Sequence, residues 1–203
     1  MDRRRYLRHA AAAAVAAVSA GCSSDNDSPR ESEADLTTPA DPRVRTHRWA
    51  PPDDSLSCAD EAVEPMEAVT DEQFPEQSDA LELTASTDTV VIGDEITFSL
   101  RNVGTEVTSL GSIHTYAFQR RDGDGWAPVY HTFGSEWYSA WIGFWPGGGY
   151  DWSFTFDRNG LERRNSTNPS YLVCSPLEPG TYRFVHWGSS RPALATEFTA
   201  EAP

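Results

Sequence analysis

From residue 80 onward, apolar and polar positions alternate. Leu81, Leu83 and Ala85 fall on one side of Glu82, Thr84 and Ser86, and Ile96, Phe98 and Leu100 alternate with Glu95, Thr97, Ser99 and Arg101. Tyr116 and Phe118 follow, then Trp152, Phe154 and Phe156 set against Asp151, Ser153, Thr155 and Asp157, and two further runs, Tyr182 to Trp187 and Leu194 to Phe198, close the chain. A period of two over five to eight residues is the pattern of strands with one buried face. Turn-forming residues separate the runs: Gly93-Asp94, Asn102-Val103-Gly104, Asp122-Gly123-Asp124-Gly125, Pro146-Gly147 and Pro179-Gly180. About seven short strands at this spacing predict an all-β sandwich. No stretch after residue 80 has the spacing of an amphipathic helix; before it, Asp60 to Glu72 allows a short one.

Two motifs carry a resemblance. Leu81-Glu82-Leu83, followed by Val90-Val91-Ile92-Gly93-Asp94-Glu95-Ile96-Thr97-Phe98-Ser99-Leu100-Arg101-Asn102, resembles the opening of bacterial and archaeal immunoglobulin-like domains, where two early strands flank a Gly-Asp turn and the second ends in Asn. Leu177-Glu178-Pro179-Gly180-Thr181-Tyr182-Arg183-Phe184 is similar to their closing Pro-Gly-x-Tyr strand. Proline presets φ at the second position of such a turn, and glycine accepts positive φ at the third. The resemblance covers about residues 80–200 and implies an immunoglobulin-like sandwich serving as an extracytoplasmic binding or structural module. The same pattern is similar to proteinase-inhibitor modules of related architecture, which would present an exposed loop to a protease cleft.

Ahead of this domain the pattern changes twice. Residues 1–21 open with Asp2-Arg3-Arg4-Arg5-Tyr6-Leu7-Arg8, continue as an alanine-rich run from Ala10 to Ala20, and end in Gly21 before Cys22. A basic start, a short apolar run and small residues at a cut site describe an export signal, and the run is shorter than the roughly 20 residues a membrane span needs. The paired arginines resemble a twin-arginine (Tat) signal. Ser19-Ala20-Gly21-Cys22 resembles a lipobox, departing from it at Ser19, and implies a lipid on Cys22. Residues 22–57 hold Ser, Asp, Glu, Thr and Pro with few apolar positions, which predicts a disordered, extended, acidic tether. Residues 58–79 are read as an N-terminal extension packing on the domain at 80–203. Asn26 and Asn165 stand in N-glycosylation sequons, whereas Asn168 is excluded by Pro169.

Charge narrows the setting. All 16 basic residues are arginines against 31 acidic ones, a net of −15, and loss of residues 1–21 leaves 12 against 30, a net of −18. Such a surface repels phosphate, which argues against nucleic acid as a partner. It keeps a chain soluble where salt screens charge beyond a few ångströms, so the lysine-free composition reads as that of a halophile, and the signal as that of a haloarchaeal lipoprotein.

Three cysteines are present. With Cys22 lipidated, Cys58 and Cys174 remain in a compartment where disulfides persist, and a bridge between them is expected. A blue-copper centre needs two His, one Cys and usually a Met. Cys174 and His186 have no ligand-like residue between them, and Met1 and Met66 lie outside the sandwich. His47, His114 and His131 follow no metal spacing, and no Gly-x-Ser-x-Gly elbow is present. Asp122 to Gly125 starts like a calcium loop, but the twelfth position is Phe133, so a hairpin turn is expected. No cofactor and no metal are expected.

Rings concentrate between Trp126 and Phe156, which hold five of the seven tryptophans. Trp152, Phe154 and Phe156 read as core, and Trp126 and Tyr130 border a hairpin. Phe133, Trp137, Tyr138, Trp141, Phe144 and Trp145 lie in a long connection without clean alternation, and serve either as a cap over one end of the sandwich or as an exposed ligand platform. The exposure of Trp137, Trp141 and Trp145 distinguishes the two. The reading is a non-enzymatic, membrane-anchored, extracytoplasmic module whose partner is an envelope protein or glycan; a proteinase inhibitor or, less favoured, an electron-transfer copper lipoprotein are the alternatives.

Overall fold

The computed structural model describes residues 44–46, 57–66, 74–78, 80–133, 137, 141–163, 169–188 and 193–203. In chain order the strands are β1 (Val44–Thr46), β2 (Val63–Pro65), β3 (Leu81–Ala85), β4 (Thr89–Val91), β5 (Glu95–Asn102), β6 (Thr108–Leu110), β7 (Tyr116–Asp122), β8 (Gly125–Pro128), β9 (Tyr130–Phe133), β10 (Ile142–Phe144), β11 (Gly149–Thr155), β12 (Ser170–Val173), β13 (Gly180–His186) and β14 (Leu194–Glu201). One four-residue helix, α1 (Arg158–Leu161), sits between β11 and β12.

Two sheets, in the orders β1-β11-β5-β3 and β4-β14-β13-β7-β8, pack through their apolar faces. The first pairs β3, β5 and β11 antiparallel, and the second brings β14, β13 and β7 together. This is the immunoglobulin arrangement, with the first, second and fifth strands in one sheet and the third, sixth and seventh in the other. Tyr182, near the start of β13, donates its hydroxyl to Glu178 O at 2.6 Å and accepts from Glu178 N at 3.2 Å. A tyrosine tied back a few residues upstream at this corner is a hallmark of the architecture.

The alternating positions are the ones that meet between the sheets. Ile96, Phe98 and Leu100 on β5, Tyr150, Trp152 and Phe154 on β11, and Tyr116, Phe118, Tyr182, Phe184 and Phe198 from the opposite sheet are all buried. Phe98 stacks on Phe184 with ring centres 4.3 Å apart, and Phe118 meets Phe154 edge-on at 5.0 Å. Burial of each such ring contributes about 1.5–3 kcal/mol by area alone. The Asp122–Gly125 segment is a tight hairpin, with these two residues paired across β7 and β8 and Gly123 at φ +56°.

Cys58 and Cys174 form a disulfide with Cα atoms 5.5 Å apart. It closes a three-stranded sheet in the order β12-β9-β2, because Cys174 directly follows β12 and Cys58 leads into β2. The Cys174 sulfur is therefore not available as a thiolate ligand for copper.

The architecture departs from the sequence reading in four places. Fourteen strands stand among the described residues where about seven were expected. The alternating runs are β3, β5, β7, β11, β13 and β14, and Val90-Val91 of the resemblance falls on β4; the rest are strands of three or four residues, too short to show a period. Asp60 to Glu72 is no helix where it is described: Asp60 N donates to Ser57 O and Val63 N to Asp60 O, both at 3.0 Å, and β2 then pairs with β9. Residues 22–57 are not tether throughout, since Val44–Thr46 runs parallel to β11 with Val44 opposite Gly149. All three side chains of β1 are exposed, so backbone pairing at a sheet edge orders it and no apolar signal marks it. Finally, α1 appears where alternation ends; the Asp157 carboxylate accepts from Gly160 N at 2.7 Å and caps it.

Candidate functional site

The aromatic connection divides into a capping part and an exposed part. Phe144 is buried and meets Tyr150 edge-on at 4.9 Å, so it is core and not a member of any ligand loop. Trp137 is half-buried; its indole N–H donates to the Tyr171 hydroxyl at 2.8 Å and its ring meets Trp187 edge-on at 5.6 Å. That hydrogen bond commits the polar edge of Trp137 to the domain, which makes it a cap. Trp141 and Trp145 are 57% and 48% exposed. Tyr138, Cys22, Asn26 and Asn165 lie outside the described residues. Phe133, also exposed, ends β9 and belongs to the other small sheet.

What holds the two exposed indoles is a two-stranded ribbon. β10 pairs antiparallel with β6 in the register Ile142 to Leu110, Gly143 to Ser109 and Phe144 to Thr108. Ile142 and Phe144 turn toward the core cluster while Trp141, Gly143 and Trp145 face out, as side chains of a strand alternate. Continued by one residue, the same register sets Trp145 opposite Val107. The two indoles are four residues apart on one face, about 13 Å along the strand. Gly143 keeps the floor between them low: a Cβ there would stand 3.3 Å from Val107 Cγ1.

Asn102 fixes the ribbon to the sandwich. It ends β5, is buried, and donates through Nδ2 to Glu106 O at 2.7 Å and Phe144 O at 2.9 Å. Its Oδ1 accepts from Gly104 N at 3.0 Å, and its backbone N–H and C=O engage Gly148 O at 2.8 Å and Gly147 N at 2.7 Å. One amide thus ties the turn before β6 to the turn after β10. The latter is built by Trp145-Pro146-Gly147-Gly148: Gly148 N donates to Trp145 O at 2.9 Å and Gly147 takes φ +80°. Proline then glycine is the pairing such a turn requires. Beneath the ribbon, the Tyr150 hydroxyl donates to Gly111 O at 2.6 Å and the Trp152 indole to Ile113 O at 2.9 Å, so core rings hold the strand that leaves β6. Burial pushes the Tyr150 phenol up to about 12, so it stays protonated as a donor.

Val103 and Val44 are also exposed. Val103 follows Asn102, and Val44 lies opposite Gly149 just past the Pro146-Gly147 turn. Of the neighbouring charges, Glu106 and Arg45 are exposed, whereas the Arg101 guanidinium donates to Asp151 Oδ1 at 2.6 Å and to Tyr150 O at 2.8 Å.

A second concavity, of about 410 Å³, lies on the outer face of the five-stranded sheet and is lined by Phe74, Glu76, Arg121, Trp126, Arg183 and Glu197 among others. Sequence reasoning left Trp126 open to either role. The Arg121 and Arg183 guanidinium carbons stand 4.0 and 4.3 Å from its ring centre, so its π faces are covered. Arg183 Nε donates to Gln119 Oε1 at 2.7 Å, and Arg121 pairs with Glu197 at 3.4 Å. These groups satisfy one another, which makes the concavity a lesser candidate than the ribbon.

His186 and His114 do packing work. His186 is buried beside Ser112 O and Thr115 Oγ1, both at 3.4 Å from Nε2, and burial pushes its pKa down to about 4 against the Ser112 hydrogen bond. His114, lowered to about 4 by burial and by Arg163, accepts at Nδ1 from that guanidinium at 3.2 Å. Arg163 itself lies 3.8 Å from the Tyr171 ring centre and 4.3 Å from that of Tyr116. No group of three or more His, Cys, Asp or Glu that could hold a metal ion occurs among the described residues. No helix among them is long and apolar enough to cross a membrane.

No protein-family model matches the chain, and no curated protein matches it. Among solved structures it is similar to a β-glucosidase from Erythrobacter marinus (14% identity, TM-score 0.30) over 59% of this chain and 15% of that one. A β-glucosidase from Listeria innocua, as a mutant with laminaribiose, gives 15% identity and TM-score 0.30 over 60% and 16% of the two chains. A chain from a structure of T cell activation by the superantigen toxic shock syndrome toxin-1 gives 11% and 0.28 over 61% and 99%. The chain thus spans about a sixth of the glucosidases it matches, and likenesses of this size carry no argument about function.

Proposed function

We propose that this chain is a non-enzymatic, membrane-anchored, extracytoplasmic binding module of a halophile, exported by a twin-arginine signal and held by a lipid on Cys22. The observation that carries the binding role is the outward face of the β10 ribbon. Two indoles, 57% and 48% exposed, flank a glycine on a strand whose other face is core, and a buried asparagine holds the whole in place. Large exposed rings on a rigid element supply contact area at low entropic cost, and a soluble surface without a partner gains nothing from them. The anchoring role is supported by the order of Arg3-Arg4-Arg5, the alanine run and Gly21-Cys22. The lysine-free acidic surface supports the saline setting.

Fractionation of native cells tests this reading. The wild-type chain is expected in the membrane pellet after a wash in molar salt, and Cys22→Ser is expected in the soluble extracytoplasmic fraction. Recovery of both in the same fraction would contradict anchoring. Turnover of a substrate abolished by a point change in the folded domain would contradict the non-enzymatic reading.

A further inference from the structure

We infer that the Trp141–Gly143–Trp145 face is seated in the surface of the lipid bilayer, so that the sandwich rests on the membrane by this end. The inference rests on the anchored reading above and names the partner of that same face.

Three observations converge on a lipid surface. The first is clustering. Six large apolar residues are exposed among the described residues: Val103, Val107, Trp141 and Trp145 belong to the ribbon and the two turns tied by Asn102, and Val44 lies on β1 opposite Gly149, just after the second turn. Only Phe133 stands elsewhere. The second is where the chain comes in. β1 is the first described element, and its first residue, Val44, lies opposite Gly149, directly after the Trp145–Gly148 turn. A chain held at Cys22 therefore joins the domain at the apolar end. The 22 residues from Cys22 to Val44 reach at most about 70–80 Å, so the tethered face meets the bilayer at high local concentration. The third is chemistry. Indole rings settle at the boundary between headgroups and acyl chains, where the ring is buried and the N–H stays wet. Val107 stands beside Trp145, with Gly143 and Pro146 also exposed, while Glu106 and Thr105 are exposed in the adjoining turn and set the polar border of the patch. A glycan site would set several hydrogen-bonding side chains around its rings; here Ser109 is the polar side chain on the ribbon's outer face, and Thr105 and Glu106 lie in the turn beyond Val107.

Charge sets the expected salt response. A net of −18 on the chain after residue 21 is repelled by anionic headgroups, and salt removes that repulsion while leaving apolar insertion intact. Docking through this face is therefore retained or strengthened in molar salt, the opposite of adsorption by a basic patch.

The test uses the full chain carrying Trp49→Phe, because Trp49 lies outside the described residues and its quenching could not be assigned to the ribbon face. Cys22, the cysteine left free by the Cys58–Cys174 disulfide, is coupled to a maleimide headgroup lipid. Vesicles are equal parts phosphatidylcholine and phosphatidylglycerol with brominated acyl chains, in molar sodium chloride. Two indoles of the six remaining should be quenched, a loss of roughly a third of the emission relative to unbrominated vesicles. Adding Trp141→Ser and Trp145→Ser should abolish the quenching while leaving the thermal unfolding midpoint unchanged. Absence of quenching in the Trp49→Phe chain, or equal quenching with and without the two indoles, overturns the inference. Absence of quenching together with an emission shift on adding dextran overturns it in favour of a glycan partner. Because the lipid is attached chemically, these outcomes stand apart from failure of native lipidation, which the fractionation reads.

Discussion

Replacing both Cys58 and Cys174 by serine removes a cross-link between residues 116 apart in sequence. In the chain-entropy account, freeing a loop of that length gives the unfolded chain about 5 kcal/mol of conformational entropy, and measured bridges commonly return 2–4 kcal/mol of it. The bridge joins elements that also meet through backbone pairing, β2 and β12 on either side of β9, so the native sheet should persist without it. The expected loss is thus about 3 kcal/mol, carried by the unfolded state. For a domain of this size that lowers the melting midpoint by about 10 °C. Guanidinium titration of the oxidised and double-serine chains at one salt concentration measures it, and the slope of the transition is read together with the midpoint. If the double-serine chain does not refold, reduction of the folded oxidised chain before titration gives the same comparison. A loss below about 1 kcal/mol would refute the entropic account. A large loss with far-ultraviolet circular dichroism already altered at zero denaturant would place the effect in the native sheet.

Three other predictions follow from single groups. His186 is buried neutral with its pKa near 4 against 6.5 when unfolded, so the unfolded chain takes up a proton first as pH falls. Stability contributed by keeping it neutral is complete above about pH 6.5, is lost progressively down to about pH 4, and amounts to about 3 kcal/mol; His186→Asn should flatten the stability–pH slope in that window, and an unchanged slope would discount it. Tyr182→Phe removes the corner hydrogen bond to Glu178 O and should cost about 1 kcal/mol in a denaturant titration, with no change in secondary structure. Phe98→Ala empties the site where Phe118, Phe154, Phe184 and Phe198 meet and should cost about 3–5 kcal/mol, whereas a loss under 1 kcal/mol would mean that the sheets close over the gap.

Strands such as β3, β5, β11 and β14 were legible because they have one dry and one wetter face over much of their length. Ile96, Phe98 and Leu100 are buried and their neighbours are not, so burial writes the period into the residue types. The ribbon was not legible, for the same reason inverted. Trp141, Ile142, Gly143, Phe144 and Trp145 do alternate in burial, but both faces carry apolar residues, and hydropathy cannot separate a core Phe144 from a solvent-facing Trp145. Asn102 was noted as the residue ending a strand; that its amide holds two turns depends on Phe144 and Glu106 carbonyls, which sequence spacing does not place. β1 and β2 were missed because backbone pairing to β11 and β9 orders them, and the partners lie far away in the chain. The disulfide was legible from the cysteine count together with the export expected from residues 1–21. For the candidate site, the residue types were visible and the division of labour among them was not.

The proposed anchoring to the membrane depends on Cys22. Mass spectrometry of the N-terminal peptide from chain extracted out of native membranes tests it directly. The predicted result is a peptide beginning at Cys22, heavier than its residues by a thioether-linked lipid. A peptide that begins upstream of Cys22, or one in which Cys22 carries a free thiol, would contradict it.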